Sequence, residues 1–402
     1  MIHSPRYFPA WLFLLFIATL ALGTDEFVIS GILPEVAADL GVSSGRAGLL
    51  VTAFALAFCF GAPVVAVSTD RRDRKHILVT GLLVFAAANA LMAAADVFAT
   101  ALALRVIAGL AAAAVSPTAM SIAGTNAPAG SEGRYLAVAT AGLTVALFTG
   151  VPLGSWIGYA WGWKATFLAI AAIAILVAIL SALLMPSSPG NEPTSIEERL
   201  APIRDWHILS LVIAMLLCGA GGLTFYNYLG VTIQDQLGRS PSDVSFTLLL
   251  VGLVGIAAVF GGGALTDYCG PRAGRLVIIG GHAAALLALG IYLFAGGSFG
   301  TGFLVLVAVW SLFSWALSPA MQTSLMSVDP EHATLTAALG ISGLYGGAGI
   351  GAAVGGPLVD AFGSASIPFA GFAFVAGAWL FAFRKEPSRA QGITVEPTAD
   401  LA

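Results

Sequence analysis

Two adjacent acids, Asp25 and Glu26, lie inside a long apolar run from about Pro9 to Leu33, and one base, Arg105, lies inside another. A charged side chain at the centre of a membrane helix costs about 2.5 to 3.5 kcal/mol on insertion scales. That cost requires a partner, a water-filled cavity or a bound proton. The chemistry these residues could perform is therefore proton binding and release, supported by ion pairing. Neighbouring helical positions point about 100° apart, so at most one of the two acids faces a cavity directly. Two readings stay open: one carboxylate takes up a proton during a working cycle, or the acids sit near a helix end and are hydrated. Arg105 calls for a carboxylate or carbonyl partner, whether it tunes a nearby acid or clamps helices together.

The rest of the chain excludes other chemistries. Neither an HExxH run nor a GxSxG elbow occurs, and His3, His76, His207, His282 and His332 are scattered, so neither an enzyme nor a metal site is expected. Cys59, Cys218 and Cys269 are far apart and read as small packing residues rather than a disulfide framework. A net charge of −4 argues against nucleic acid. A receptor would carry a soluble output domain, whereas the stretch from Arg384 to Ala402 is short and polar.

The elements that must position the charges follow from composition. The 402 residues are 58% hydrophobic and 9% charged, against about 25% charged in a soluble domain. Apolar runs are expected to form helices over 9–33, 46–69, 77–95, 98–124, 135–159 and 163–186, and again over 207–233, 242–265, 276–296, 301–327, 333–358 and 366–383. The fold class is an all-α membrane protein of twelve transmembrane helices. Residues 1–186 and 207–383 are expected to form two six-helix bundles, with 187–206 a polar linker and 384–402 a tail. Of the 17 Lys and Arg residues, Arg46, Lys164 and Arg239 fall on one side, and all others outside the spans fall on the side of the termini and linker. The positive-inside rule then places both termini in the cytoplasm.

An internal repeat supports the division. The loop after the second span carries Asp70, Arg71, Arg72, Asp73, Arg74 and Lys75, and the loop after the eighth carries Gly263, Asp267, Gly270 and Arg272. Each places an acid four residues after a small residue, with a base further on, and parallel six-helix repeats around a midplane site are a known transporter design. The two loops resemble the G-x-x-x-D-x-x-G-R signature of the major facilitator superfamily. The first departs from it, with Ala66 and Asp73 where glycines are usual. Arg105 to Gly109 resembles the R-x-x-x-G motif, and Gly150, Pro152 and Gly154 resemble the antiporter motif, which in this superfamily is associated with export. Residues 23–35 (GTDEFVISGILPE), 162–167 (GWKATF) and 319–322 (PAMQ) are similar to the bacterial chloramphenicol-resistance, arabinose-efflux and purine-efflux permeases.

The resemblance implies two pseudo-symmetric bundles and a proton-coupled antiporter exporting a small, mostly neutral drug or metabolite such as a phenicol antibiotic, with a sugar or purine nucleoside efflux permease, or an uptake symporter, as the alternatives, and with H+ as coupling ion and no other cofactor. It implies a monomer in a bacterial inner membrane. By likeness to a Glu-Phe pair of the family, Glu26 is the favoured proton carrier, with Asp25 and Arg105 beside it. Asp70 or Asp267 would latch the bundles by capping a helix of the opposite half, alongside Arg71, Arg74, Lys75, Gly263, Gly270 and Arg272. Candidate substrate contacts are Tyr226, Asn227, Tyr228, Trp310, Trp315, Gln322 and Tyr345, with Tyr228 and Gln322 foremost; Tyr345 stands where the group often has Asn. His282 falls in a peripheral span and is not expected to relay protons.

Overall fold

A computed structural model describes residues 9–69, 71–128, 131–190, 197, 201–328 and 333–383, all of the regular structure being helical. Among the described residues twelve helices are long and apolar enough to cross a membrane: α1 Ala10–Asp39, α2 Ser44–Val65, α3 Arg74–Met92, α4 Phe98–Thr125, α5 Gly133–Trp161, α6 Trp163–Leu184, α7 Trp206–Gln236, α8 Pro241–Cys269, α9 Pro271–Phe294, α10 Thr301–Val328, α11 Thr336–Phe362 and α12 Ser364–Ala382. Helices α1, α7, α8 and α11 run past the ends of the expected spans, and α3 and α9 start before theirs. Hydropathy reports the stretch that matches the hydrocarbon, about 20 residues, and is blind to helical turns that continue into the headgroups. The expected tail beyond 383, and Asp70 in the first loop, lie outside the described residues.

Packing repeats with a shift of six. Helix α1 packs on α5 and α6, α2 and α3 on α4, and α3 on α6; likewise α7 packs on α11 and α12, α8 and α9 on α10, and α9 on α12. Across the halves the main contacts are α2 with α11 and α5 with α8, which exchange under the same shift. The ends are tied alike. Asp73 caps α3 by accepting from the Lys75 N–H at 2.8 Å, and it also accepts from the Ser187 hydroxyl and the Ser188 N–H just beyond α6. In the second half Arg272 donates to Phe383 O at 2.9 Å and Arg275 to Ala382 O at 3.1 Å, holding the end of α12. With successive spans crossing in alternate directions, residues 73, 188, 272 and 383 fall on one face, called here the terminal face, and the α1–α2 and α11–α12 turns on the opposite face.

Two helices carry local π segments, Ala146–Gly150 in α5 and Thr232–Gln236 in α7. Pro152 follows the first and has no N–H to continue the ladder, which accounts for the widened turn. Glycines bring α5 hard against α1. A methyl added at Gly150 would sit 1.9 Å from Thr24 Oγ1, and one at Gly154 2.7 Å from Val28. Gly109 does the same for α4, its added methyl falling 2.5 Å from Phe54 O of α2.

Candidate transport site

The acids of α1 part company as their angular offset requires. Asp25 is fully buried and Arg105 donates to its Oδ2 at 2.9 Å, a salt bridge shut away from water. The guanidinium also donates to Leu50 O at 3.4 Å and lies over the Phe54 ring, 4.4 Å from its centroid, and over Phe167 at 5.9 Å. Arg105 thus has both a carboxylate and a carbonyl partner, and it joins α1, α2, α4 and α6. Pairing matters here, because a buried charge stripped of its partner costs about 3 to 5 kcal/mol.

Glu26 points elsewhere. It is half-buried, and Tyr345 of α11 donates its hydroxyl to Glu26 Oε2 at 2.7 Å. The Tyr345 ring stacks on Phe58 of α2 at 4.1 Å. Phe27 projects from α1 into the second half, edge-on to Tyr226 at 5.5 Å and to Trp315 at 5.6 Å. Trp315 stands edge-on to Tyr226 at 6.1 Å, and Trp310 packs behind Tyr226 and Phe225. An acid, a phenol and an aromatic cluster therefore meet at mid-depth between the halves. The Trp315 and Trp310 indole N–H groups and the Asn227 amide nitrogen make no hydrogen bond to described residues.

The structure sorts the expected substrate contacts. Glu26, Tyr345, Trp315 and Gln322 keep partial exposure; Gln322 lies two turns from Trp315 toward the terminal face, its amide donating to Ser318 Oγ at 3.0 Å. Tyr226, Asn227, Tyr228 and Trp310 are buried. Tyr228 in particular sits at the opposite face, its hydroxyl donating to Ala352 O at 2.9 Å and packed against Gly48, Gly355 and Gly356. It closes a seam and lines no open space, because Gly-rich α11 lets a large ring be swallowed there. Asn227 accepts from the Ser30 hydroxyl at 3.3 Å where α7 meets α1. His282 is buried against Gly222 of α7, and neither ring nitrogen has a hydrogen-bond partner among the described residues.

The loop residues are in mixed states. Gly270 precedes α9 with φ of 84°, a conformation in which a β-carbon is strained, so the second copy needs its glycine. Asp73 in the first copy replaces that turn with an N-cap and a tether to 187–188. Asp267 is exposed at the end of α8, and no hydrogen bond or ion pair joins it to another described residue. Arg71 is exposed, Lys75 partly so, and Arg74 is buried with its N–H on Ser188 O at 2.8 Å. Residues that sequence reasoning passed over are Phe58, which had no signal beyond being apolar, and Asp73 as a capping residue, which the rule for Asp before a helix could have found.

Twelve helices in two six-helix repeats, with a buried ion pair and a second acid between the repeats, define a membrane transporter fold. The chain belongs to the Major Facilitator Superfamily, whose profile matches residues 15–340. It is 34% identical to a chloramphenicol resistance protein of Streptomyces lividans, covering 88% of each chain. It is 29% identical to the inner membrane transport protein YdhP of Escherichia coli K12, over 92% of this chain and 95% of that one. An uncharacterized MFS-type transporter of Bacillus subtilis, YbcL, is 29% identical over 94% and 97%. Among solved structures, a bacterial homolog of the human lysosomal transporter Spinster, inward-facing and unoccupied, superposes with a TM-score of 0.77 at 18% identity, over 94% of this chain and 97% of that one; at that identity the likeness concerns fold alone. The protein is a multi-pass membrane transporter.

Proposed function

We propose that this transporter is a proton-coupled antiporter that exports a small, mostly neutral aromatic molecule, a phenicol being the first candidate. The observation that carries the reading is the division of labour on α1. Asp25 is locked to Arg105, whereas Glu26 faces the space between the halves, where a proton and a substrate can compete for it. Aromatic walls with few polar groups suit such a ligand: Trp315 carries an indole N–H without a partner among the described residues, and Glu26 offers an acceptor or, when protonated, a donor. The direction of transport is supported by the Gly150, Pro152 and Gly154 motif and by the resistance relative.

In the cycle we envisage, the halves rock about the Glu26 site with residues 1–186 and 207–383 as the moving bodies, the termini in the cytoplasm and the chain acting as a monomer. Proton entry from outside releases substrate, since each ligand shifts the same equilibrium between the two access states. The gating motif, Asp70 and Asp267 included, would latch the terminal face when it closes.

The test is accumulation of labelled chloramphenicol in efflux-deficient bacteria expressing the protein, with a protonophore added partway. Low accumulation that rises on addition, and that is absent with Glu26→Gln, supports proton-driven phenicol export through helix α1. Accumulation equal to the empty vector removes phenicols and sends the assay to arabinose and purine nucleosides. Uphill export undiminished in Glu26→Gln would remove Glu26 from the coupling.

A further inference from the structure

Hydrogen bonds join the two halves at mid-depth and at the opposite face. At mid-depth are Glu26 with Tyr345, and Cys59, whose thiol donates to Ser342 O at 3.2 Å. At the opposite face the contact is built differently, from backbone approach and one carboxylate. Gly45 of α2 and Gly356 of α11 are buried so close that a methyl on Gly45 would fall 2.2 Å from Gly356 O, and one on Gly356 2.5 Å from Gly45 O. One helical turn beyond Gly356, Asp360 lands on the same side of α11. Its Oδ1 accepts from the Gly45 N–H at 3.1 Å and its Oδ2 from the Ser43 hydroxyl at 2.7 Å. Ser43 in turn accepts from the Arg46 N–H at 3.1 Å, capping the start of α2.

From this geometry we infer that Asp360 is the positioning residue that holds the opposite face of the transporter shut, by completing the first turn of α2 from the other half. A carboxylate with both oxygens engaged fixes the rotation of α11 on α2 as well as its distance, which apolar contact alone does not. Beneath it Tyr228 fills the seam at Gly48, and Gln234 donates to Glu35 Oε1 at 3.1 Å, so the face is closed in depth. When the face opens, Gly45 and Ser43 lose their partner to water, and the bonds must reform before the next closure. The same half-to-half logic expected of the loop acids on the terminal face is thus met at the other end by a residue outside that motif. This inference does not depend on the identity of the substrate or on proton coupling.

Thr52 supplies a reporter, since it is buried and shares the α2 stripe of Gly45, Leu56 and Cys59 that faces α11. In a chain with Cys59, Cys218 and Cys269 replaced by serine and Thr52→Cys added, a membrane-impermeant maleimide is applied to intact cells and to inside-out vesicles. From the side bearing residue 360, Asp360→Ala should raise the labelling rate about five-fold, the population change expected when one net hydrogen bond's stabilisation is lost. Asp360→Asn, which keeps an acceptor for Gly45 and a polar group for Ser43, should stay near the parent rate. Labelling of Asp360→Ala at the parent rate overturns the inference. Independently of how that variant folds, Ser43→Cys paired with Asp360→Cys should be joined by a short bis-methanethiosulfonate, holding together the fragments produced at a protease site inserted between residues 191 and 196 until reductant is added. Absence of that cross-link would equally overturn it.

Discussion

The Tyr345 hydroxyl of α11 donates to Glu26 Oε2 of α1 at 2.7 Å, so the acid set between the halves is already satisfied by a residue of the other half. A substrate donor that takes Glu26 Oε2 does so in competition with this phenol, whereas Oε1 is left for a proton. Tyr345→Phe removes the donor and keeps the stack on Phe58. The variant is expected to fold, to lose about 0.5 to 1.5 kcal/mol, the net worth of one hydrogen bond, and to alter the concentration dependence of transport. Thermal unfolding in detergent beside a transport titration checks it; unchanged values in both would mean the bond does no work in the protein.

Asp25 and Arg105 form the opposite case, a pair whose value appears when one member is removed. Asp25→Asn or Arg105→Gln alone is expected to destabilise by about 3 to 5 kcal/mol, since each strands a buried polar partner. Asp25→Leu with Arg105→Met, which removes both charges, should lose much less than the sum. A double-mutant cycle on the unfolding of purified protein measures this, and strict additivity would sink the ion pair as the organising contact of the first half.

The contrast between these acids explains what was legible from sequence. The spans were legible because hydropathy over about 20 residues is what a bilayer selects, and the resemblance at residues 23–35 marked out α1. That Glu26 and not Asp25 faces the gap was legible only by likeness, because a 100° offset tells that they differ and not which is which. Arg105 had to have a partner, yet Asp25 is 80 positions away and no local pattern joins them. Tyr228 looked a leading substrate contact by residue type. The glycines of α11 that bury it, Gly355 and Gly356, were visible, but nothing in one chain's sequence says which helix lies opposite them. Asp360 lay just beyond the expected span ending at 358, where an acid reads as an ordinary interfacial charge.

Asp73 makes a prediction in pH. Burial alone would raise its carboxyl, but the Ser187 hydroxyl and the Lys75 and Ser188 N–H groups outweigh that and hold it below the usual 3.8. A carboxylate with a depressed folded value adds stability above the unfolded value and loses it as pH falls through the folded one. Asp73→Ala should therefore cost about 1 kcal/mol at neutral pH, the worth of an N-cap, and the cost should shrink as pH falls below 3.8. Hydrogen exchange at the start of α3 and at Ser188, compared between the two proteins across pH, reads this directly. A difference that persists unchanged into acid would assign the tie to something other than the ionised carboxylate.

The π segment and glycines of α5 set the register of the helix that carries both acids. Thr24, which precedes Asp25, has its hydroxyl on Leu20 O at 2.7 Å and stands where a Gly150 side chain would go. Gly150→Ala must therefore move α1 or α5, displacing Asp25 from Arg105 and Glu26 from Tyr345 together. Overpacking of this kind costs about 1 to 3 kcal/mol, and here transport should suffer more than stability because two sites shift at once. Thr24→Ala in the same chain removes the hydroxyl and the methyl nearest the clash and should restore part of both. Gly133→Ala, at a position with nothing within 4 Å, is the control and should leave transport intact. Should Gly150→Ala transport normally, the close approach of α5 to α1 would be a packing detail with no bearing on the acids, and the antiporter motif would need another physical role.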